Sequence, residues 1–459
     1  MKKMDELYRY ALCYPQTKHP LAMEKDELKN KYIFLLKYYA DKLYPDSDVI
    51  SIRLQTFKTS LFGDKENSVD NKFDIKSVVG NVLKTRFTPF RLFSYRYLFL
   101  FDCLILLAPD NFEIGQKICG ELKESVNNRY HKTLDTMVQQ MYEGDSSFAY
   151  KKLISQDMVD AWNNIRSYVQ SQNHNITFTA TMSAGKSTLI NAVIGQELSY
   201  AKKAACTATI MKFSSAPTTN PLLNVYCDGE IKTLLMEQEV RELTKGLKEP
   251  CEIRGYFSSI LSKKKITLID TPGVNSSQNP EHKKITRNEL TGEDTDILVY
   301  IIPVENYGSE GDYEHLTYIK KKVQYKNIMF VVNMMDSCDF EDDSVSEIVK
   351  NISEHLISIG FENPIICPMS AKAGMLFKQA LKGIELSKND KKACKTYVNM
   401  FLKEELALNT YYPVVASEHS VNEQLGCLDE SSEKVWKAYI NTGLPGFERL
   451  LYDMTKEEK

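Results

Sequence analysis

A bias of charge is the first thing this chain of 459 residues lacks. Lys and Arg number 58 against 61 Asp and Glu, a net charge of −3, so no global field draws the protein to nucleic acid or to an anionic bilayer. Long apolar runs are missing too. The longest, YLFLFDCLILLA at 97–108, is broken by Asp102 and falls far short of the roughly 20 residues that cross a bilayer; it reads as a buried core helix. The N-terminal MKKMDELYRY has no apolar stretch behind its basic start and does not read as a secretory signal. Ten cysteines are present, yet none forms a CxxC pair or has a His at ligand spacing. That excludes a zinc ribbon and points to reduced thiols in core positions. The expected location is the cytoplasm, with at most peripheral contact with a membrane, and no nucleic-acid partner is expected.

What is present falls into two textures. Through residue 171 the apolar positions recur at helical spacing, as in Leu28, Tyr32, Leu35 and Leu36 or Ile118, Leu122 and Val126, and strand alternation is scarce. This predicts an all-α domain over 1–171, with the polar stretch 63–81 as a surface loop. Within it, Lys84, Arg86, Arg91 and Arg96 are interleaved with Phe87, Phe90, Phe93 and Tyr95, predicting an amphipathic helical face. From 172 onward short apolar, β-branched runs (176–180, 207–213, 222–227, 265–270, 296–302 and 327–333) alternate with helical patterns at 186–194, 313–323 and 344–359. Alternating β and α units imply a mostly parallel sheet with helices on both faces, and Asp228-Gly229 marks an antiparallel hairpin at its edge. The expected fold is therefore an α/β domain over 172–459, preceded by the all-α domain and carrying a charged helical insertion at about 374–436. TGLPGFERLLYDM at 442–454 closes the pattern with a helix that starts at Pro445.

Four motifs in this second half point to one chemistry. ITFTATMSAGKSTLI at 176–190 sets a predicted strand, a small-residue turn and a predicted helix in immediate succession, the layout of a P-loop. The backbone N–H groups of Ala184, Gly185, Lys186, Ser187 and Thr188 then face phosphate at a helix N-terminus. Lys186 reaches the β- and γ-phosphates, and the Ser187 hydroxyl binds Mg²⁺. Ala180 stands where the first glycine is usual, a position an alanine tolerates at a strand end with negative φ. Asp270-Thr271-Pro272-Gly273 follows the strand KITLI; its carboxylate can hold Mg²⁺ through water, and the Gly273 N–H can meet the γ-phosphate. The strand IMFVVN ends in Asn333-Met334-Met335-Asp336, resembling NKxD with Met334 in place of Lys. Asp336 can accept both the N1–H and the exocyclic amine of guanine, which adenine cannot supply, and Asn333 with Asp336 is expected to select that base. Ser370-Ala371-Lys372, after one more strand, resembles the SAK motif whose backbone supports the guanine O6. Each motif ends a predicted strand, and together they predict a P-loop GTPase.

Lys186 and Asp270 lie 84 positions apart, which implies an enlarged GTPase domain. With TMSAGKSTLINAVIG, CTATI and DTPGVNSS, the chain resembles the dynamin superfamily, and bacterial dynamin-like GTPases in particular, over about 172–385 and, through TGLPGFERLLYD, on to residue 459. The N-terminal third shows no specific match. The resemblance implies GTP as substrate, Mg²⁺ as cofactor, and hydrolysis to GDP and phosphate completed when two G domains meet. It puts Thr207, with Thr209 as the neighbouring alternative, on Mg²⁺ and the attacking water. It also gives catalytic parts to Ser183, Lys186 and Gly273, with Ser187, Thr207 and Asp270 as the metal set. Met182 stands where eukaryotic dynamins carry a glutamine, and Val274 where Ras-type enzymes carry theirs. His282 falls in the expected switch II. No long stalk is expected after the last helix, so any bundle or neck is expected from the first 170 residues, alone or with the 374–436 insertion. The implied partners are a second copy, a second dynamin-like chain or another protein. A weakly hydrolysing, GTP-gated switch that signals through the helical domain stays open beside the enzyme reading.

Overall fold

The computed structural model describes residues 19–45, 47–62, 73–88, 91–150, 153–181, 183–199, 210–217, 222–227, 230–244, 249–274, 280–292, 295–325, 327–338, 344–412 and 430–456. The chain divides into two compact units, one of residues 1–171 with 216–221 and the other of 172–215 with 222–459.

In the first unit, α1 (Asp26–Leu43), α2 (Asp48–Phe62) and α3 (Ile75–Val82) precede a short hairpin of β1 (Arg86–Thr88) and β2 (Arg91–Phe93). Then come α4 (Arg96–Leu107), α5 (Phe112–Glu124), α6 (His131–Glu143) and α7 (Gln156–Gln170). The apolar run expected as a core helix is α4, buried along its whole length except at Tyr97, as a helix that is apolar all round must be. Two expectations are corrected here. The end of the expected 63–81 loop is helical: Asp74 caps α3 by accepting from the Ser77 N–H at 2.9 Å, and Val78 and Val82 are buried. Four apolar residues at helical spacing outweigh the polar neighbours that suggested a loop. The basic and aromatic stretch is not one helical face: residues 86–88 and 91–93 of it form the β1–β2 hairpin, with Arg86 opposite Phe93 and Thr88 opposite Arg91, and Arg96 opens α4. Aromatic residues suit a pleated strand, and Pro89 disfavours a helix through it. The described cysteines of the two units are free thiols, and no described helix is long and apolar enough to cross a membrane.

The second unit is built on a nine-stranded sheet among the described residues. Its elements run β3 (Asn173–Ala180), α8 (Lys186–Ile194), β4 (Met211–Ser215), β5 (Leu223–Cys227), β6 (Glu230–Leu235), α9 (Glu237–Thr244), β7 (Cys251–Gly255), β8 (Lys265–Asp270), α10 (Pro280–Leu290), β9 (Ile297–Pro303), α11 (Glu310–Lys322), β10 (Asn327–Asn333), α12 (Val345–Ile359) and β11 (Ile365–Pro368). α13 (Ala371–Leu381), α14 (Lys388–Phe401), α15 (Glu430–Asn441) and α16 (Leu444–Met454) complete it. The strand order is β11-β10-β9-β3-β8-β4-β7-β5-β6. From β11 through β8 every pairing is parallel. β4 runs antiparallel to β8, and the β5–β6 hairpin forms the expected antiparallel edge. Apolar, doubly buried strands such as β9, all seven of whose residues are buried, account for the parallel centre. β7 is the strand the sequence did not announce, because CEIRG buries Cys251 and Ile253 but carries Glu252, Arg254 and a glycine.

The expected start of a helical insertion, 374, falls inside α13. That helix packs on α8, and its buried Lys378 donates to the carbonyls of Ala192 (2.6 Å) and Val193 (3.3 Å) while pairing with Glu448 of α16 at 2.5 Å. A cation at the C-terminal turn of α8 meets carbonyls that lack helical partners. Residues 413–429 of the expected insertion lie outside the described residues.

Candidate nucleotide-binding site

β3 lies between β8 and β9 in parallel register, and β10 and β11 continue the sheet beyond β9. The loops after β3, β8, β10 and β11 therefore open at one carboxyl edge, the place where open α/β sheets receive ligands. Each of the four motifs follows one of these strands.

The turn after β3 has the backbone a phosphate loop needs. Ala180 ends the strand buried and without positive φ, so the missing glycine strains nothing, whereas Ser183 (φ 65°) and Gly185 (φ 82°) turn left-handed. Gly185 is required twice over, since a Cβ there would lie 2.3 Å from Asn333 Nδ2. No side chain caps α8, so its first-turn N–H groups remain donors for an anion. Ser183 is exposed, Ala184 buried, and Lys186, Ser187 and Thr188 are half-buried.

The Lys186 ammonium is ion-paired with Asp270 at the end of β8, and burial pulls it down from the ordinary lysine range to about 7. Ser187 Oγ faces Asp270 Oδ2 at 3.4 Å, and Ser199 Oγ donates to the same oxygen at 2.6 Å. The DTPG segment is stitched to β3: the Thr271 hydroxyl donates to the Phe178 carbonyl at 2.8 Å and the Val274 N–H to that of Ala180 at 3.4 Å, with Gly273 half-buried between them. A carboxylate with two hydroxyls beside an uncapped helix start suits Mg²⁺, a hard cation that takes one or two carboxylates, keeps several waters and shares substrate phosphates.

At the other end, Asn333 Nδ2 donates to the Ala184 carbonyl and its Oδ1 accepts from the Ala371 N–H, both at 3.1 Å. Its buried amide thus ties the phosphate loop to the 370 segment and faces backbone groups. Asp336 Oδ1 accepts from Ser370 Oγ at 2.5 Å, and Oδ2 from the Tyr397 hydroxyl of α14 at 3.1 Å. Ser370 also caps α13, accepting from the Ala373 N–H at 3.2 Å; Ala371 is buried and Lys372 exposed. Sequence reasoning missed Ser199 and Tyr397. Neither stands in a motif, and each reaches its carboxylate only through the folded chain. Met182, Thr207 and Thr209 lie outside the described residues, as does the side chain of His282 in α10.

Residues 176–335 match the model of the Dynamin family. This segment belongs to that family. The dynamin-family segment begins in β3 and ends beside Asp336, with the P-loop GTPase fold around it. Dynamin-like protein A of Bacillus subtilis is 22% identical over 191 residues, 41% of this chain and 14% of that protein. Sulfate adenylyltransferase subunit 1 of Colwellia psychrerythraea is 31% identical over 119 residues, 26% of this chain and 23% of that protein. The matches thus span less than a quarter of either relative's length. Among solved structures, one described as an oligomerised bacterial dynamin pair is similar at 14% identity over 92% of this chain and 63% of that one, with a TM-score of 0.36. Era of Aquifex aeolicus is similar at 16% identity over 49% of this chain and 56% of its own, with a TM-score of 0.28.

Proposed function

We propose that the protein binds GTP with Mg²⁺ and hydrolyses it to GDP and inorganic phosphate. One observation carries the reading: Asn333 touches both the phosphate loop, at Ala184, and the segment that holds Asp336 through Ser370, so a phosphate end and a base end belong to one site. Lys186 would exchange Asp270 for the β- and γ-phosphate oxygens, and the uncapped amides of α8 would stabilise charge on the transferring group. Ser187 and Thr207 would hold Mg²⁺ and Asp270 its water shell; the ion, when bound, neutralises phosphate charge. Asp336 would select guanine through its N1–H and amine, while Ala371 and Lys372 would face O6. The Gly273 N–H would meet the γ-phosphate, and Ser183 would help position the attacking water. Val274 is a buried aliphatic side chain and cannot orient water, which favours Thr207 for that task and a second G domain as the activator. In this reading 1–171 is a separate helical domain, and membrane attachment, if any, is peripheral.

The same Val274 favours a second reading, a GTP-gated switch with slow turnover that acts on a protein partner. Fluorescent-nucleotide titration tests the shared part: the protein should bind GTP and GDP but not ATP, and Lys186→Ala should lose that binding. Equal affinity for ATP would overturn both readings.

A further inference from the structure

Asp270 has three partners among the described residues, and two of them have other work once nucleotide arrives. Lys186 is needed by the phosphates and Ser187 by the metal ion, which leaves Ser199. That residue is 3% exposed and Asp270 8%, and their 2.6 Å contact has the length of a charge-assisted O–H···O⁻ bond. Ser199 does not reach the carboxylate from a free loop. Asn191 Oδ1 accepts from the backbone N–H groups of Leu198 (2.9 Å) and Ser199 (2.7 Å), and Asn191 Nδ2 donates to the Ser199 carbonyl at 2.7 Å. Both halves of one buried amide thus fix the backbone on either side of Ser199. Asn191 lies four residues after Ser187 on α8, and residues so spaced share one helix face. The helix that presents the metal-binding hydroxyl therefore also holds, one turn on, the turn that presents Ser199. From Ser199 the chain runs eight residues to Thr207.

We propose that Ser199, held by Asn191, is a positioning residue for the Mg²⁺ site. It pins Asp270 Oδ2 and leaves Oδ1, vacated by Lys186, as the oxygen that faces the metal's water shell. The inference rests on the nucleotide reading above.

The test is the affinity for a fluorescent GTP analogue as a function of Mg²⁺ concentration and again in EDTA, for the wild type, Ser199→Ala and Ser199→Thr. Loss of a hydrogen bond to a charged group should raise the Mg²⁺ concentration at half-effect about tenfold in Ser199→Ala, leave affinity in EDTA unchanged, and be rescued by Ser199→Thr. An unchanged Mg²⁺ requirement, or equal losses with and without Mg²⁺, would overturn the proposal. Ser199→Cys, nearly isosteric and a weak donor, keeps the test decisive if the alanine protein does not fold: it should shift the Mg²⁺ requirement the same way, and no shift sinks the idea. A wild type that binds no GTP would instead overturn the nucleotide reading itself.

Discussion

Two of the buried carboxylates, Asp102 of the first unit and Asp270 of the second, are handled in opposite ways. Asp102 lies in the middle of α4, fully buried, accepting from the Tyr32 hydroxyl at 2.6 Å and paired with His19 Nε2 at 3.2 Å. His19 Nδ1 in turn accepts the Leu21 N–H at 3.2 Å, which leaves Nε2 as the ring nitrogen that bears the proton. Both partners are buried in the core of the same unit. Asp270 is held by Lys186, Ser187 and Ser199 at a strand end beside an uncapped helix start. Two of those three would meet stronger partners in phosphate and a metal ion. A buried charge saturated inside a core marks architecture, and one held by exchangeable partners at a sheet's carboxyl edge marks a ligand site.

The contrast can be broken experimentally. Asp102→Ala should cost about 3 kcal/mol or more in stability by stranding its partners in the core, read by chemical denaturation, while GTP affinity of the folded fraction stays put. Lys186→Ala should do the reverse, lowering GTP affinity about a hundredfold, the loss of a charge-assisted contact, with little change in the denaturation midpoint. Comparable stability losses for the two variants would erase the distinction. Asp336→Asn should sharpen it at the base end by moving preference from GTP toward xanthosine triphosphate, about tenfold in competition binding, a loss in keeping with one hydrogen bond to a charged group. Tyr397→Phe should have a smaller effect of opposite sign. Removing a hydroxyl that guanine must displace should tighten GTP about threefold, the worth of part of one hydrogen bond. The effect of pH is graded. With the Lys186 ammonium near 7 in the empty site, it is deprotonated above that pH and must regain its proton to meet phosphate, so affinity should fall as pH rises from 7 to 9. Calorimetry at pH 8 in buffers of different ionisation heat should show uptake approaching one proton, and none at pH 6.

The sequence made the second unit far more legible than the first. Strand, turn and helix around Lys186, the strand ends at Asp270 and Asn333, and the β5–β6 edge all rest on local pattern, because a parallel sheet writes itself as apolar runs and a phosphate loop as small residues between strand and helix. In the first unit the core helix was plain from composition, but the β1–β2 hairpin and α3 were not, since aromatic and basic residues at close spacing fit a helix face as readily as a short strand. The site's hidden half is tertiary. Ser199 and Tyr397 reach Asp270 and Asp336 across 71 and 61 residues of sequence, distances at which no local pattern operates. The amide of Asn333, a residue of the NKxD-like motif, is tied to the backbone of two other segments, at Ala184 and Ala371, contacts that no local pattern announces.

The central claim is a GTP-specific, Mg²⁺-dependent hydrolytic site completed by a second G domain. Phosphate release from the purified protein with GTP and Mg²⁺, across a series of protein concentrations and with ATP as control, tests it most directly. The account predicts release from GTP alone, climbing more steeply than in proportion to protein concentration and vanishing in Lys186→Ala. Hydrolysis of ATP at the same rate, or release from GTP that persists in Lys186→Ala, would contradict it.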